Sequence, residues 1–590
     1  MANTVSNSKK TEYRNYSFNN KGVNKIKNNP DGQNWPVVYI LSGKEKAYVG
    51  ETNNAYHRMT QHLNDPQRKV MDNILLLLNR SFNKSATLDI ENQLIQFLLA
   101  DEKFKLQNAN GGQSVRNNYY QRSMYQQLFQ DIWNALRERN LASKTLYEIK
   151  NSEIFKYSPY KQLTQDQFTC VEALLKMTGD AIEQNTSKNL VIQGGAGTGK
   201  TVLAIYFIKC LVDLLNQNTN FDDLDEVLPE DSQILHSAKL IEAIQKKGHL
   251  EIGYVVPASA FRGTVSRVFT VTRHGLRGSM VIGPNDIAKK HYDILIVDEA
   301  HRLKRRNRLN SPSMYKNFDA VSSKLGLPKD CSQVDWVMAD KRLLTVMFYD
   351  PNQQVNTVDA LDDSFDKFMK CSEIVTLKSQ LRIAEGEDYG DDYIEFINDL
   401  MSNKQVLFKK SKYKLKVFDD YGKMEKAIFD KNVEMNGLCR ILSGLAFEYG
   451  STIRSKNLKE TKTTIEINSN GSKYLRRWNI GFSSSKFVTD DTHVGEIGCV
   501  YTAQGYDLNY AGVILGPDIY YDVKNKRIEI DVSKHSSRDM IYTKGEDISV
   551  AKQHIINQYL ILLTRGVFGT YIYAVDDNLR DYLKKVINGK

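Results

Sequence analysis

One octet of residues constrains the chain most, because it requires a strand before it and a helix after it. The sequence GGAGTGKT follows the apolar run LVIQ and precedes the helical run VLAIYFIKC, which is the GxxxxGK[ST] pattern in its required context. In such a loop, backbone N–H groups cradle phosphates, the lysine reaches the β- and γ-phosphates, and the last hydroxyl ligates Mg²⁺. A chance glycine-rich turn is the alternative, and the flanking runs disfavour it. The predicted nucleotide-binding residues are Gly194, Gly195, Ala196, Gly197, Thr198, Gly199, Lys200 and Thr201.

A second apolar strand ends in two acids. The run DILIVDEAH places Asp298 and Glu299 at the carboxyl end of the strand, and in a parallel sheet ligands bind at that edge. We expect Asp298 to hold Mg²⁺, directly or through water, and Glu299 to polarise the attacking water. Phosphoryl transfer also needs a cation aimed at the γ-phosphate, for which Arg382 and Arg565 are the candidates.

Length and composition bound the domain count and the class of protein. The chain has 590 residues, so three or four domains are expected, since single cores stop growing near about 250 to 300 residues. A net charge of +10 is mild over this length and decides little about a nucleic-acid partner. The six cysteines form no CxxC pair, which favours buried thiols over zinc fingers or disulfides. No run has the length of a membrane helix or the pattern of a signal peptide, so a cytoplasmic protein without membrane association is expected.

Alternating strands and helices predict the fold class. This alternation is typical of doubly wound parallel sheets, so the predicted class is α/β, with a small N-terminal α/β module followed by two such lobes. The strand-like runs begin at or near Leu190, Ile252, Asp293, Leu343, Tyr510 and Thr570. The predicted divisions are a flexible tail (1–34), a compact module (35–125), a linker with helical character (126–162) and the two lobes (163–365 and 366–590).

Seven blocks stand in the order of the motifs of superfamily 1 helicases. They are LTQDQ, GGAGTGKT, DILIVDEAH, MFYDPNQQV, LKSQLRI, YTAQGYDLNYAGVILG and LLTRGVFGTYIY. From about residue 163 to 576 the chain resembles these helicases, and more closely the Schlafen-related P-loop NTPases grouped as domain of unknown function 2075. The resemblance implies two RecA-like lobes with ATP in the cleft between them.

The same resemblance implies roles for individual residues. Gln167 matches the adenine-reading glutamine and Gln353 matches the γ-phosphate sensor. Arg382 and Arg565 match the arginine fingers of the second lobe. The block that couples nucleotide to nucleic acid is matched by Gln504, Gly505 and Asp507, where Asp507 replaces the usual glutamate.

Two basic segments are candidates for contact with nucleic acid. Arg262 and Arg267 lie in VVPASAFRGTVSRVF, at the place of a strand-contacting motif, and either phosphate contacts or structural salt bridges fit them. The run HRLKRRNRLN at residues 301–310 directly follows the two acids. We expect it to contact nucleic acid, with a solvated loop as the alternative.

The segment VVYILSGKEKAYVGETNNAYHRMTQHL at residues 37–63 predicts a hairpin followed by a helix. Hairpin pairing would put Tyr39 and Tyr48 on neighbouring strands, and Arg58 and His62, four apart, share one face of the helix. This segment resembles the opening of the GIY-YIG endonuclease family, with VVY and YVG in place of GIY and YIG. The resemblance implies a catalytic set made of Tyr39, Tyr48, Arg58, Glu91 and Asn110, and His62 is a further candidate.

The chemistry of phosphodiester cleavage suits those residue types. Glu91 is the expected ligand of Mg²⁺ or Mn²⁺, Arg58 clamps the phosphate, and Tyr39 is the expected general base, with Tyr48 and His62 assisting. Because a phenol ionises near pH ~10, nearby cations must lower its pKa. Ordinary core tyrosines and a salt-bridged glutamate are the structural alternative.

Together the two sets predict a metal-dependent endonuclease directed by an ATP-hydrolysing, helicase-like motor. Such fusions resemble bacterial defence proteins, so DNA of phage or plasmid is the expected target, and a homo-oligomer or a partner protein of a defence system is possible. Three alternatives stay open: a nucleic-acid sensor that switches with ATP and does not unwind, a nuclease that targets RNA, and an inactive nuclease fold that only binds.

Overall fold

The chain divides into two compact units. Residues 1–185, 201–250 and 265–279 form the first unit, and residues 186–200, 251–264 and 280–590 form the second. The computed structural model describes residues 11–29, 33–108, 120–161, 163–195, 197–216, 238–306, 309, 311–350, 353, 363–378, 391–409, 412–447, 464–478, 486–503, 506–535 and 548–588.

The N-terminal part of the first unit is a five-stranded sheet with helices, which we call the N-terminal module (residues 11–161). The sheet order is β1–β4–β2–β3–β5, where only the β3–β5 pair is parallel. The elements are β1 (Glu12–Ser17), α1 (Asn20–Lys27), β2 (Val37–Ser42), β3 (Lys46–Thr52), α2 (Ala55–Asn64), β4 (Asn73–Leu78), α3 (Lys84–Asp101), β5 (Lys105–Leu106), α4 (Arg122–Glu138), α5 (Leu146–Asn151) and α6 (Glu153–Lys156).

Two predictions about this module are wrong. The described part of the expected tail forms β1 and α1, and α1 buries Val23 and Ile26. The segment looked like a tail because β1 is a largely exposed edge strand that needs few apolar residues. The expected linker is also part of the core, since α4 buries Phe129, Trp133 and Leu136 against α3 and the sheet.

Downstream, a six-stranded sheet of the second unit has the order β11–β6–β10–β9–β7–β8, and all its paired strands are parallel. Helices α12 and α13 pack against β6, β9 and β10 through buried apolar side chains. The elements of this part of the chain are α7 (Gln165–Gln184), β6 (Lys188–Gly194), α8 (Lys200–Leu215), α9 (Ala238–Lys247), β7 (Ile252–Val255), α10 (Ser259–Thr272), β8 (Val281–Ile282), β9 (Ile294–Val297), α11 (Pro312–Lys324), α12 (Gln333–Met338), β10 (Leu344–Tyr349), α13 (Asp363–Lys370) and β11 (Glu373–Leu377).

The second unit contains another parallel sheet, of order β12–β20–β17–β13–β16, and two hairpins, β14–β15 and β18–β19. Its elements are α14 (Asp391–Met401), β12 (Lys414–Val417), α15 (Tyr421–Glu434), β13 (Cys439–Ser443), β14 (Thr464–Ser469), β15 (Ser472–Arg477), α16 (Lys486–Thr489), β16 (Ile497–Gly498), α17 (Val500–Ala503), β17 (Leu508–Leu515), β18 (Ile519–Asp522), β19 (Arg527–Ile530), α18 (Ile548–Leu563), β20 (Gly566–Ala574) and α19 (Asp577–Asn588).

The predicted α/β class with parallel sheets is confirmed, and each of the six predicted strands is present. The first of these sheets extends to residue 377, past the predicted boundary at 365, because β11 pairs with β6. The six cysteines are free thiols, and all except Cys371 are buried. Among the described residues, no helix combines the length and the apolar character needed to cross a membrane.

Candidate functional sites

The predicted phosphate-binding loop connects β6 to α8. Gly197 and Gly199 have φ angles of 86° and 74°, in the left-handed region that glycine adopts at little cost. A Cβ on Gly194 would lie 2.5 Å from Thr198 Oγ1, so the loop also needs glycine where it leaves the strand. The local sequence therefore permits the tight turn that phosphate binding requires.

Lys200 is the first residue of α8, and its side chain points back over the loop. Its Nζ donates to the carbonyl oxygens of Gly194 (2.7 Å) and Gly195 (3.0 Å) and lies 3.6 Å from Asp350 Oδ2. The ammonium is therefore buried and held among oxygens, next to the helix N-terminus where phosphates bind. Thr201 follows it, half-buried, on the first turn of α8.

Strand order explains why acids from distant parts of the chain meet at this loop. β10 lies between β6 and β9, and the three strands run parallel. Their carboxyl ends reach the same edge of the sheet, where the octet follows β6, Asp298 and Glu299 follow β9, and Asp350 follows β10. Sequence reasoning missed Asp350, although it directly follows its strand, as Asp298 does.

The two predicted acids differ in their surroundings. Asp298 is fully buried and accepts hydrogen bonds from Tyr254 Oη (2.7 Å) and the Glu299 N–H (3.0 Å), which fix its carboxylate. Glu299 Oε2 lies 2.8 Å from Nε2 of the buried His301. Burial alone would raise the pKa of Glu299, but His301 and Lys200 outweigh it and hold the pKa well below its ordinary value. Glu299 is therefore an anion.

Gln353, the predicted sensor, is buried and joined to the same group. Its Nε2 donates to Asp350 Oδ2 at 2.7 Å, and this is the oxygen that faces the Lys200 ammonium. The amide is thus one contact away from the lysine that is predicted to bind phosphate.

Arg565, a predicted arginine finger, is buried in the lobe that contains the second parallel sheet. It is 1% exposed, and it donates to the carbonyl oxygens of Ile561 (2.9 Å) and Tyr506 (3.3 Å). Asp507, half-buried, is the next residue after Tyr506 and directly precedes β17. The structure thus joins Arg565 to the block at residues 501–516 by way of the backbone.

Gln167 is also buried, and its side chain closes the first turn of α7. Its Oε1 accepts from the Thr164 N–H at 3.0 Å, as part of a capping box. The remaining predicted site residues lie outside the described residues. They are Asn110, Ala196, Arg382, Gln504 and Gly505.

The two arginines of the strand-contacting block are engaged within the protein. The Arg262 guanidinium packs so closely on Gly283 that a Cβ there would lie 2.0 Å from Nη1. Arg267 donates to both carboxylate oxygens of Glu102, at 2.8 and 3.0 Å. For Arg267 the structural salt bridge, one of the two predicted alternatives, is the arrangement found.

The described part of the basic run at residues 301–310 is not an open cationic loop. His301 is fully buried, and Arg306 forms a two-pronged ion pair with Asp319 (2.5 and 2.9 Å). Arg305 is half-buried, and its charge, after burial itself, lowers the pKa of His554 to about 4. The expectation of contact with nucleic acid has no support from these residues.

In the N-terminal module, the predicted hairpin brings the two tyrosines together. Tyr39 stands opposite Gly50, and Tyr48 stands opposite Leu41, so both rings lie on one face with their centroids 6.2 Å apart. A Cβ on Gly50 would lie only 2.2 Å from Tyr39 Oη. The glycine of the YVG motif is therefore what lets the Tyr39 ring cross its neighbouring strand.

The Tyr39 hydroxyl is the centre of a polar cluster with helix α2. It lies 2.8 Å from His62 Nε2 and accepts a hydrogen bond from Arg58 Nε at 3.4 Å. The His62 ring also packs edge-on against Tyr48, with centroids 5.1 Å apart. The spacing of four residues places Arg58 and His62 on one helix face, as expected, and both contact Tyr39.

The electrostatics of the cluster correct one prediction. Burial, then Tyr48, raise the pKa of Tyr39 well above its ordinary value, and the opposing effect of Arg58 is smaller. Burial, Arg58 and Arg68 lower the pKa of His62 to about 3. The expectation that neighbouring cations ionise Tyr39 is therefore wrong, since burial favours a neutral phenol at Tyr39 beside a neutral imidazole at His62.

Glu91 is the predicted metal ligand of this site. It lies on α3, is 9% exposed, and is near enough to Tyr39 to raise the pKa of that phenol. Within the described residues no three His, Cys, Asp or Glu side chains converge as metal ligands. Glu91 supplies one carboxylate, and Mg²⁺ is commonly held by one or two carboxylates with water and phosphate oxygens completing its shell.

Two residues near this site were not found from the sequence. The Arg68 guanidinium, 8% exposed, lies 4.0 Å above the Tyr48 ring. Asn108 is buried and exchanges two hydrogen bonds with the Val49 backbone, at 2.8 and 3.0 Å. Only a family alignment of the turn after α2 or of the strand end after β5 could have singled them out.

The second unit is thus defined by its loop, its acids and its strand order as a P-loop NTPase. Residues 187–576 match the family model of the Schlafen group 3 DNA/RNA helicase domain, and the chain belongs to this family. The helicase-like domain predicted from the seven blocks is confirmed. The N-terminal module lies outside the match, so its GIY-YIG character stays a prediction.

A relative and two solved structures are also similar to the chain. It is 30% identical to the uncharacterized protein YPL245W of Saccharomyces cerevisiae over 415 residues, which cover 67% of this chain and 83% of the relative. A crystal structure of a DNA replication initiation factor and a structure of AMPPCP-bound DnaA from Aquifex aeolicus are each 13% identical, with TM-scores of 0.19. The matches cover 42% and 43% of this chain and 56% and 57% of the two solved chains.

Proposed function

We propose that the protein is an ATP-hydrolysing, helicase-like motor joined to a metal-dependent endonuclease of the GIY-YIG type that cleaves DNA. The observation that carries this proposal is two separate polar constellations on one chain. One joins Lys200, Asp350 and Glu299 at a sheet edge, and the other joins Tyr39 and Arg58 on the N-terminal hairpin and helix.

In the motor, Lys200 exchanges its carbonyl partners for the β- and γ-phosphates of ATP. Glu299, held as an anion, accepts a hydrogen bond from the attacking water and aims it at the γ-phosphorus. Thr201 and Asp298 hold Mg²⁺, which neutralises charge on the phosphates. Asp350 keeps Gln353 in line with Lys200, so this pair reports the state of the γ-phosphate.

Among the two candidate arginine fingers, Arg382 is the better one. The Arg565 guanidinium is buried and donates hydrogen bonds to backbone carbonyls of its own lobe, so in this proposal it stabilises the 501–516 block. In this proposal Gln504, Gly505 and Asp507 of that block couple the nucleotide to nucleic acid, and Gln167 reads adenine.

In the nuclease, Arg58 pairs with the phosphate to be cut, and Glu91 holds Mg²⁺ or Mn²⁺, which neutralises the phosphate charge. Tyr39 and His62 are hydrogen-bonded, so Tyr39 can pass a proton from the attacking water to His62. Burial and two arginines keep the imidazole neutral, and a phosphate that offsets the Arg58 charge raises the pKa of His62. Binding of the substrate phosphate therefore makes His62 a better proton acceptor.

Phage or plasmid DNA is the proposed target. By analogy with fusions of this kind, the protein acts in defence, either alone or with a partner protein. RNA is the second candidate, because the matched family model covers DNA and RNA helicases alike. In either case the motor decides when or where the nuclease cuts.

The test uses the full chain with plasmid, linear duplex, single-stranded DNA and matched RNA, each with and without ATP and Mg²⁺. Lys200→Ala is expected to abolish ATP hydrolysis, and Glu91→Ala is expected to abolish cleavage while hydrolysis continues. Continued ATP hydrolysis is thus the folding control for Glu91→Ala. ATP turnover by Lys200→Ala contradicts the nucleotide site, and cleavage by Glu91→Ala contradicts the nuclease site.

The same preparations separate the alternatives. Cleavage of RNA alone replaces the DNA proposal by the RNA one. Strand displacement on a tailed duplex with ATP identifies a motor, whereas ATP-dependent cleavage with no displacement identifies a switch.

A further inference from the structure

The turn that follows α10 belongs to the helicase-like domain by sequence, yet it contacts the N-terminal module inside the first unit. His274 Nε2 lies 3.4 Å from the Leu106 carbonyl oxygen of β5, and Val271 packs on the module's core. Arg273, His274 and Gly275 have φ angles of 60°, 45° and 88°. Two consecutive left-handed residues other than glycine are strained, so surrounding contacts must hold this turn.

Gln107, the residue after Leu106, connects this contact to the turn that bears Arg68. The Gln107 N–H donates to the Ala47 carbonyl oxygen of β3 at 2.8 Å, which fixes its backbone. Its Oε1 accepts from Arg68 Nη1 at 2.6 Å, and its Nε2 donates to the Gln67 carbonyl oxygen at 2.8 Å. Gln107 therefore holds the Arg68 side chain from two directions, through the guanidinium and through the turn that bears it.

Arg68 in turn faces the proposed nuclease cluster. Its guanidinium lies 4.0 Å above the Tyr48 ring, and that ring packs on His62. The charge of Arg68 contributes, after burial and other cations, to lowering the pKa of both His62 and His274. One guanidinium thus lies within electrostatic reach of the helicase-like turn and of the cluster around Tyr39.

We propose that Arg68 is a positioning residue of the nuclease site and that His274 of the helicase-like domain sets its position through Gln107. The proposal rests on the proposed nuclease function. It assigns a concrete route for the control of cleavage: a movement of the turn at residues 273–275 displaces β5, Gln107 and Arg68, and the Tyr48 and His62 rings follow.

The experiment measures the position of His62 directly. The full chain is labelled with ¹³C at the histidine ring carbons, and the His62 signal, one of ten, is assigned with His62→Gln. The variants are Arg68→Met, Gln107→Ala, His274→Ala and the double variant Arg68→Met/His274→Ala. The matched control is Lys105→Ala, which removes an exposed ion pair with Glu45 from the same strand without touching Arg68.

Arg68→Met, Gln107→Ala and His274→Ala are each expected to shift the His62 signal, and Lys105→Ala is not. For cleavage, Arg68→Met should lower kcat by roughly 10- to 100-fold with KM unchanged, because it misplaces reacting groups without removing one. His274→Ala should lower kcat by about 5-fold or more. The double variant should match Arg68→Met alone, since both changes act along one route.

Several results overturn the proposal. If the His62 signal does not shift in Arg68→Met, Arg68 does not position the nuclease site. If it does not shift in His274→Ala, the turn at residues 273–275 does not control the position of Arg68. Fully additive kcat effects in the double variant show two independent routes and also refute it. The other histidine signals and ATP hydrolysis check folding, and Gln107→Ala replaces Arg68→Met if that variant does not fold. If the wild type cleaves no substrate, the proposed nuclease function is refuted. The His62 signal then still tests whether the turn at residues 273–275 is linked to the cluster around Tyr39.

Discussion

Substitution of Gly50 by alanine tests the geometry of the nuclease cluster most directly. The added Cβ would lie 2.2 Å from Tyr39 Oη and 2.3 Å from its Cζ, whereas ordinary contact begins at 3.4 Å. The ring must therefore move by about 1 Å, and since Tyr39 is fully buried it has no open side to move into. Overpacking of this kind destabilises by about 1–3 kcal/mol.

The same displacement of the Tyr39 ring should also lower the rate of cleavage. A displacement near 1 Å breaks the 2.8 Å contact with His62 and the 3.4 Å one with Arg58, and misplacement on that scale lowers turnover by about 10²-fold. The assay compares kcat for cleavage with ATP hydrolysis in the same preparation, and hydrolysis should be unchanged. Gly495→Ala is the matched control, because a Cβ there meets no heavy atom within 4 Å. Wild-type cleavage by a folded Gly50→Ala protein refutes the assigned geometry.

Three further predictions follow from the described contacts. Glu299→Gln should still bind ATP but lose its hydrolysis, because the amide cannot accept the proton of water; fluorescent-nucleotide binding beside phosphate release measures both, and undiminished release contradicts the role. Asp350→Asn should lower ATP turnover by roughly 10²-fold, because Lys200 loses its buried counter-charge, and a value within twofold of wild type is the contrary outcome. The pKa of His62 is lowered to about 3, below its usual 6.5, so the unfolded chain binds the extra proton more readily. The contribution of His62 to the free energy of unfolding is then fully present above pH 6.5 and is lost as the pH drops towards 3. Calorimetry of the wild type and of His62→Gln measures this loss, and an equal pH dependence of the two proteins contradicts the prediction.

Much of the nucleotide site could be predicted because each of its parts is recognisable in a short stretch of sequence. The octet and the acids Asp298 and Glu299 each follow an apolar strand, and position relative to a strand end is a property of a short sequence. Asp350 satisfies the same rule, but its partner Lys200 is far away in sequence. Only the insertion of β10 between β6 and β9 brings the two together.

The nuclease cluster shows the same division. The positions of Tyr39, Tyr48, Arg58 and His62 follow from hairpin pairing and helical spacing, which are local. Their protonation does not follow, because burial is set by the whole module and outweighs the cations that sequence reasoning expected to ionise Tyr39.

Residue types and spacing by themselves determined that this chain has parallel α/β sheets, a phosphate-binding loop and a hairpin with two tyrosines. These features depend on contacts between near neighbours in sequence. The tertiary structure alone decided that an apparent tail is an edge strand, that Arg565 and His301 are buried, and that Arg68 is held by Gln107. Burial and long-range pairing are properties of the assembled chain, so no short stretch of sequence records them.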